Sequence, residues 1–240
     1  MEDNTKKSPA KKIFKIIGVL AIIGIIIAAI IASVTAKPSN AEKIWDKDMS
    51  VGNVDAKNYF IIYSDLVCPY CIAFENAVIE HESEFKEYLK EHDIVVEVRL
   101  SDFLYEYGEA HAEHSRHSAI AAYCAKNEGR FWDYYNLAVT TVWNDFFKGN
   151  GKGGFTALNA KSPNYWSEIG HKIGLGESFD TCVENKAPLA EIKENAAKSA
   201  KLISGMPYYK FNKFVSSGFD LAGDWDDVLM FFQAGLDSQK

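Results

Sequence analysis

The chain has 240 residues, 48% of them apolar and 25% charged, the balance of an ordinary globular protein rather than of a disordered chain or a polytopic membrane protein. Its formal net charge is −7, and no basic stripe of the kind that binds nucleic acid stands out. The stretch beyond about residue 50 is long enough for one sizeable domain, with room for an insertion.

Residues 1–15 form a basic tail carrying Lys6, Lys7, Lys11, Lys12 and Lys15, and the run from Ile16 to Ala36 holds no charge at all. At about 1.5 Å per residue that run reaches roughly the 30 Å of a hydrocarbon core, which predicts a transmembrane helix over 16–36. A lysine cluster before such a helix tends to stay cytoplasmic, so residues 37–240 are expected outside, anchored to the cell membrane by a single pass. Val34-Thr35-Ala36 also resembles a signal-peptide cleavage site, although the run exceeds the usual ~7–15 apolar residues of a signal peptide. A buried core helix would need a polar face, which this Ile-rich run lacks.

All four cysteines, Cys68, Cys71, Cys124 and Cys182, fall in the expected exported part. An even count in an oxidising compartment reads as disulfide chemistry. After a linker over 37–51, the run Asn58–Ser64 reads as a buried strand, followed directly by Cys68-Pro69-Tyr70-Cys71. Helical spacing continues from Cys71 to about Lys90, and Ile94–Leu100 alternates like a second strand. Residues 52–100 thus form a βαβ unit with CPYC at its strand-to-helix junction.

Residues 101–202 show helical stretches without a convincing strand, and read as a helical insertion. Its run Gly149-Asn-Gly-Lys-Gly-Gly154 predicts a surface loop. Strand pattern returns over Tyr208–Val215, a turn is expected near Ser216-Ser217-Gly218, and Asp224 is placed to cap a final amphipathic helix. Residues 203–240 therefore complete the order β-α-β, helices, β-β-α.

A cysteine at a helix start meets unpaired backbone N–H groups and the positive end of the helix dipole, both of which favour thiolate over thiol. Cys68 is the expected nucleophile. Pro69 suits the first helical turn, where its missing N–H leaves no hydrogen bond unmade. The competing readings of CPYC are a plain structural disulfide or half of a zinc site. Zinc usually takes two close ligand pairs, and here the other cysteines stand singly.

Gly52-Asn-Val-Asp-Ala56, YSDLVCPYC at 63–71, AAYCAKNEGRFW at 121–132, IGLGESFDTCV at 173–183 and GMP at 205–207 occur in this order. Together they resemble the DsbA-like thioredoxin family, in the membrane-anchored branch typical of bacteria, over nearly all of residues 52–240. The resemblance implies an α/β thioredoxin fold with an inserted helical domain, here preceded by the transmembrane helix. It makes Cys68 the attacking thiol, Cys71 the resolving thiol and Pro207 a cis-proline facing them. Pro69, Tyr70 and Met206 become substrate-contacting positions, with the residue before the cis-proline pairing its backbone with an extended client. It also implies a structural disulfide between Cys124 and Cys182, for which two buried free thiols are the alternative.

Two departures from the family stand out. Met206 replaces the usual Thr or Val before the cis-proline, and Ile62 stands where thioredoxins place a buried acid, with Asp65 nearer the site but expected towards solvent. His111, His114 and His117 could share a helix face for metal, yet their polar neighbours suit a solvated helix start. Phe131, Trp132, Tyr134 and Tyr135 read as core packing.

The implied activity is a protein disulfide oxidoreductase that needs no cofactor or metal and donates disulfides to exported proteins. Its partners would be clients with free thiols or disulfides and a membrane protein that reoxidises or reduces it. A reductase or isomerase shares the same residues, although isomerases of this fold commonly add a dimerisation domain. A zinc-stabilised chaperone or binding module, without enzyme activity, is the competing class.

Overall fold

In a computed structural model, residues 44–239 are described, except 107, 109, 110, 151, 152, 204 and 220–222. The basic tail 1–15 and the expected membrane span 16–36 lie outside the described residues. Among the described residues no helix is long and apolar enough to cross a membrane.

Five strands make one mixed sheet in the order β1-β3-β2-β4-β5. They are β1 (Ser50–Gly52), β2 (Asn58–Ser64), β3 (Ile94–Leu100), β4 (Tyr208–Phe211) and β5 (Phe214–Ser217). β2 and β3 run parallel, with Phe60 opposite Val96 and Ile62 opposite Val98, because a helical crossover joins them. β4 returns antiparallel beside β2, setting Tyr208 against Tyr63 and Tyr209 against Ile62.

The crossover expected as one helix from Cys71 to Lys90 is two, α1 (Pro69–Glu80) and α2 (Glu82–Glu91), broken at His81. The bend lets α2 lean on the sheet through Phe85 and Leu89 while its charged side stays in water. Tyr208–Val215 is likewise two strands. The turn expected at 216–218 falls instead at Asn212, whose φ of 49° is one that asparagine tolerates better than most residues.

Strand alternation gives the sheet two different faces. Phe60, Ile62, Val96, Val98, Tyr209 and Phe211 belong to the main core, where Phe60 meets Phe232 of the last helix, α10 (Trp225–Asp237), with ring centroids 4.5 Å apart. A Cβ on Gly235 would lie 2.4 Å from Phe211 Cγ, so glycine is what lets α10 approach β4. Asp224 caps α10 by accepting from the amides of Asp226 and Asp227, as its sequence position predicts.

The opposite face carries Ile61, Tyr63, Glu97 and Arg99. All seven residues of β3 are buried, so the second face is not solvated as simple alternation suggests. Its charges pair internally: Arg99 Nε donates to Glu97 Oε2 at 2.8 Å and an Arg99 terminal nitrogen donates to Tyr63 Oη at 2.7 Å. Glu97 Oε1 accepts from the amides of Trp45 and Asp46, at 2.6 and 2.7 Å, and the Trp45 ring lies 3.5 Å from the Arg99 guanidinium carbon. The domain therefore starts inside the stretch read as a linker over 37–51, because a buried carboxylate recruits the chain that crosses it.

The insertion comprises α3 (Phe103–Glu106), α4 (Ala112–Asn127), α5 (Phe131–Val142), α6 (Gly154–Asn159), α7 (Tyr165–Lys172), α8 (Glu177–Glu184) and α9 (Leu189–Ser199), with a π-helical turn at Trp143–Phe147. Gly149 and Gly153 sit between α5 and α6 at φ 74° and 85°, conformations that favour glycine. Cys124 of α4 and Cys182 of α8 are joined by a disulfide, with their Cα atoms 5.8 Å apart.

Candidate redox site

Cys68 is the residue that caps α1 at its N-terminus, in extended conformation, with Pro69 in the first helical turn. Its carbonyl accepts from the Ile72 amide at 3.0 Å, the first bond of the helix. The Cys68 side chain is thus held at the end of the helix where backbone N–H groups go unpaired and the dipole is positive. Both Cys68 and Cys71 are free thiols in this structure, 4% and 0% exposed. Tyr70 between them is 48% exposed and presents an aromatic ring to solvent.

The Met206–Pro207 peptide bond is cis. β4 begins at the next residue, and because Tyr208 pairs with Tyr63 near the end of β2, Pro207 lies at the same end of the sheet as CPYC. The Pro207 carbonyl accepts from the Gly218 amide. Met206 is half-buried against the cluster of Ile61, Tyr63 and Ile203, so it packs against the second face of the sheet.

Asp65, expected towards solvent, is fully buried. Its carboxylate accepts from the amides of Val67 and Leu104, each at 3.0 Å, and from Ser115 Oγ at 2.6 Å. It thereby fastens the loop before Cys68 to α3 and α4. Burial raises its pKa to about 6, against the opposing pull of those hydrogen bonds.

The group that sequence reading did not name is Glu75. Four residues after Cys71, it stands on the same helix face one turn further on, and α1 is buried nearly all round between the sheet and α5. Glu75 is 4% exposed, and neither of its oxygens has a hydrogen-bond partner. Ser64 Oγ, Tyr135 Oη and Tyr209 Oη, all buried, lack partners as well. Ser64 and Tyr135 sit beside the carboxyl, close enough for their hydroxyls to act on it. Burial, the main cause, raises the Glu75 pKa to about 7; the two hydroxyls temper the rise and Asp65 adds to it. The signal was there to read: an acid among the mostly apolar residues that follow a CxxC.

Burial also pushes the Cys71 thiol up, with further contributions from Cys68 and Glu75. Cys71 is therefore a thiol that keeps its proton until something removes it.

The histidines differ from the solvated helix start expected. His111 and His114 are buried, His111 stacked on Phe155 and His114 accepting from Trp166 Nε1 at 3.1 Å through Nδ1. Among the described residues no group of His, Cys, Asp or Glu is arranged to hold a metal. Phe131, Tyr134 and Tyr135 are buried, with Trp132 packed against them.

A dithiol at a helix N-terminus, set beside a cis-proline at the end of a mixed sheet, can exchange a disulfide with another protein. Fold and site define a thiol-disulfide oxidoreductase. The chain belongs to the thioredoxin family, whose sequence model matches residues 45–204. No curated protein sequence matches it significantly. In fold it is similar to alpha-DsbA1 of Wolbachia pipientis, at TM-score 0.57 and 12% identity over 85% of this chain and 100% of that one. It is also similar to the thiol-disulfide oxidoreductase MdbA of Corynebacterium diphtheriae, at 0.56 and 16% over 79% and 90%. Oxidised BdbD of Bacillus subtilis aligns at 0.55 and 18% over 79% and 92%.

Proposed function

We propose that this chain is an extracytoplasmic oxidase, anchored by residues 16–36, that passes a Cys68–Cys71 disulfide to exported proteins and is reoxidised by a membrane partner. The observation that carries the reading is the placement of Cys68 as the N-terminal cap of α1, with Pro69 behind it and cis-Pro207 at the same end of the sheet. A helix N-terminus favours negative charge, and any such preference for the reduced pair makes the disulfide a better oxidant. Solved structures of similar fold include a thiol-disulfide oxidoreductase, which supports disulfide exchange as the chemistry. The Cys124–Cys182 disulfide suits an oxidising compartment, and the apolar run 16–36 after five lysines supports N-in, C-out anchoring.

In the forward reaction a client thiolate attacks Cys68 Sγ and Cys71 leaves. A second client thiol then displaces Cys68, carrying the disulfide away. Tyr70, between the two cysteines, and Met206, before the cis-proline, would meet the client's apolar side chains. The reading is tested by equilibrating the full-length chain with glutathione redox buffers and measuring the potential of the CPYC pair. A value near or above about −180 mV supports an oxidase; one near the thioredoxin value of about −270 mV overturns it in favour of a reductase. Cys71→Ala should in parallel accumulate mixed disulfides with exported proteins, and labelling of Cys68 by a membrane-impermeant reagent on intact cells tests the topology.

A further inference from the structure

We propose that Tyr63 is a positioning residue for client binding: it holds the Met206–Pro207 loop in place, and is itself held by a buried arginine clamped under the first residues of the domain. This deepens the reading of CPYC and cis-Pro207 as a site for extended protein clients, and rests on it. It concerns how tightly a client is held, not the direction in which electrons flow.

Arg99 and Glu97 are 5% and 1% exposed, on the face of the sheet turned away from the main core. Buried ion pairs seldom out-stabilise apolar residues of similar volume, and their best attested use is to fix one arrangement among several. Here Arg99 is fixed from two sides. On one, its Nε donates to Glu97 Oε2, Glu97 Oε1 takes the amides of Trp45 and Asp46, and the Trp45 ring lies 3.5 Å from the guanidinium carbon. On the other, towards the redox site, it donates to Tyr63 Oη at 2.7 Å.

Tyr63, 1% exposed, is next to last in β2 and paired in register with Tyr208, the residue after Pro207. Partners across two strands share a face, and the two rings meet edge to face with centroids 5.7 Å apart. Met206, two residues before Tyr208, packs into the same cluster with Tyr63, Ile61 and Ile203. Contact thus runs from Trp45 through Arg99 and Tyr63 to the residues on both sides of the cis-proline.

Phenylalanine would fill the same space under the loop. What the tyrosine hydroxyl adds is a charge-assisted, directional bond, which ties the ring, and the loop resting on it, to the position of Arg99. The resemblance to DsbA-like proteins implies that an extended client pairs its backbone with Met206. Such pairing tolerates little displacement, since a hydrogen bond weakens steeply as its angle bends. A loop resting on a looser ring therefore loses client affinity, while the chemistry at Cys68 is left as it was.

The test mixes the oxidised full-length chain with an unstructured peptide carrying two reduced cysteines, under single-turnover conditions with acid-quenched alkylation. The dependence of rate on peptide concentration separates the half-saturating concentration from the limiting rate. Tyr63→Phe should raise the half-saturating concentration at least about fivefold and leave the limiting rate within about twofold. Reduction by dithiothreitol, which has no backbone to pair, should also stay within about twofold of wild type. Trp45→Leu acts on the other side of the same arginine and should give the same kind of shift. Combined with Tyr63→Phe, its effect should fall short of the product of the two, because both act through Arg99. A Tyr63→Phe chain that holds the peptide as wild type does overturns the proposal. So do equal losses towards peptide and dithiothreitol, which mark damage to the cysteine pair, or two effects that multiply independently, which mark separate packing defects. A wild-type chain that oxidises dithiothreitol but shows no saturation with the peptide would sink the protein-client reading itself, and this proposal with it.

Discussion

Removing the Cys124–Cys182 disulfide by the double substitution Cys124→Ala/Cys182→Ala should destabilise the domain without silencing CPYC. The bridge spans a sequence separation of 58 residues between α4 and α8. On the chain-entropy account, a loop of that length restrains the unfolded chain by about 4 kcal/mol. Cys124 lies in the core, fully buried, and Cys182 packs against its edge, so alanine at both places leaves only small voids and adds little to that figure. For a domain of about 200 residues each kcal/mol shifts Tm by ~2–4 °C, which puts the expected fall at roughly 8–16 °C. Differential scanning calorimetry of the non-reduced full-length proteins measures it, with peptide mapping to show Cys124 and Cys182 linked in the wild type. A fall below about 3 °C would refute the reasoning, since the bridge would then not be restraining the unfolded chain. The Cys68–Cys71 pair should still cycle with glutathione.

Glu97→Ala removes the buried partner of Arg99 and the acceptor of two amides, and should cost about 3–5 kcal/mol in urea denaturation. Hydrogen exchange at Trp45 and Asp46 should accelerate with it; unchanged exchange there would mean the segment is held by something else. Gly235→Ala drives a Cβ into Phe211 and should lose about 1–3 kcal/mol, whereas unaltered stability would show that Phe211 can move aside. Glu75 bears on stability through pH. Its folded pKa, about 7, lies above the 4.5 of an unburied glutamate, so its contribution is fully present below pH 4.5 and lost as pH rises through 7. At ~1.4 kcal/mol per pH unit the ionised form is disfavoured by about 3 kcal/mol. Glu75→Gln should therefore gain stability on wild type as pH climbs from 4.5 to above 7, and parallel stability curves would contradict the buried-acid assignment.

The elements were legible where a single periodicity governed them. Asn58–Ser64 is a short apolar run bounded by turn residues, and Trp225–Asp237 has both an N-cap and a helical stripe, so each could be placed to within a residue or two. β1 could not, because three residues of strand carry no pattern; Ser50–Gly52 pairs antiparallel with β3 just after the segment whose amides bond to Glu97. The break at His81 and the turn at Asn212 were hidden for a related reason. Neither carries the glycine or proline that usually marks such a point: His81 stacks on Trp225 of α10, and Asn212 is held by side-chain hydrogen bonds with Tyr59 and Asn58.

The redox cysteines announce themselves because their chemistry requires two residue types at a fixed spacing beside a proline. An acid that serves them has no such constraint. It need only reach the same small volume, and it can arrive from a strand before CPYC or from the helix after it. Ile62 empties the first route in this chain. Glu75 occupies the second, one helical turn from Cys71 and shielded by α5, where Tyr135 closes the space above it. What such an acid can do then depends on its protonation state as well as its presence. Salt-bridged, it would stay ionised at neutral pH and could only repel the Cys71 thiolate. Buried, as it is here, it has its pKa pushed up to about 7. The helical insertion thus does more than widen the domain: by covering α1 with α5, it keeps Glu75 out of water and weakens it as an acid.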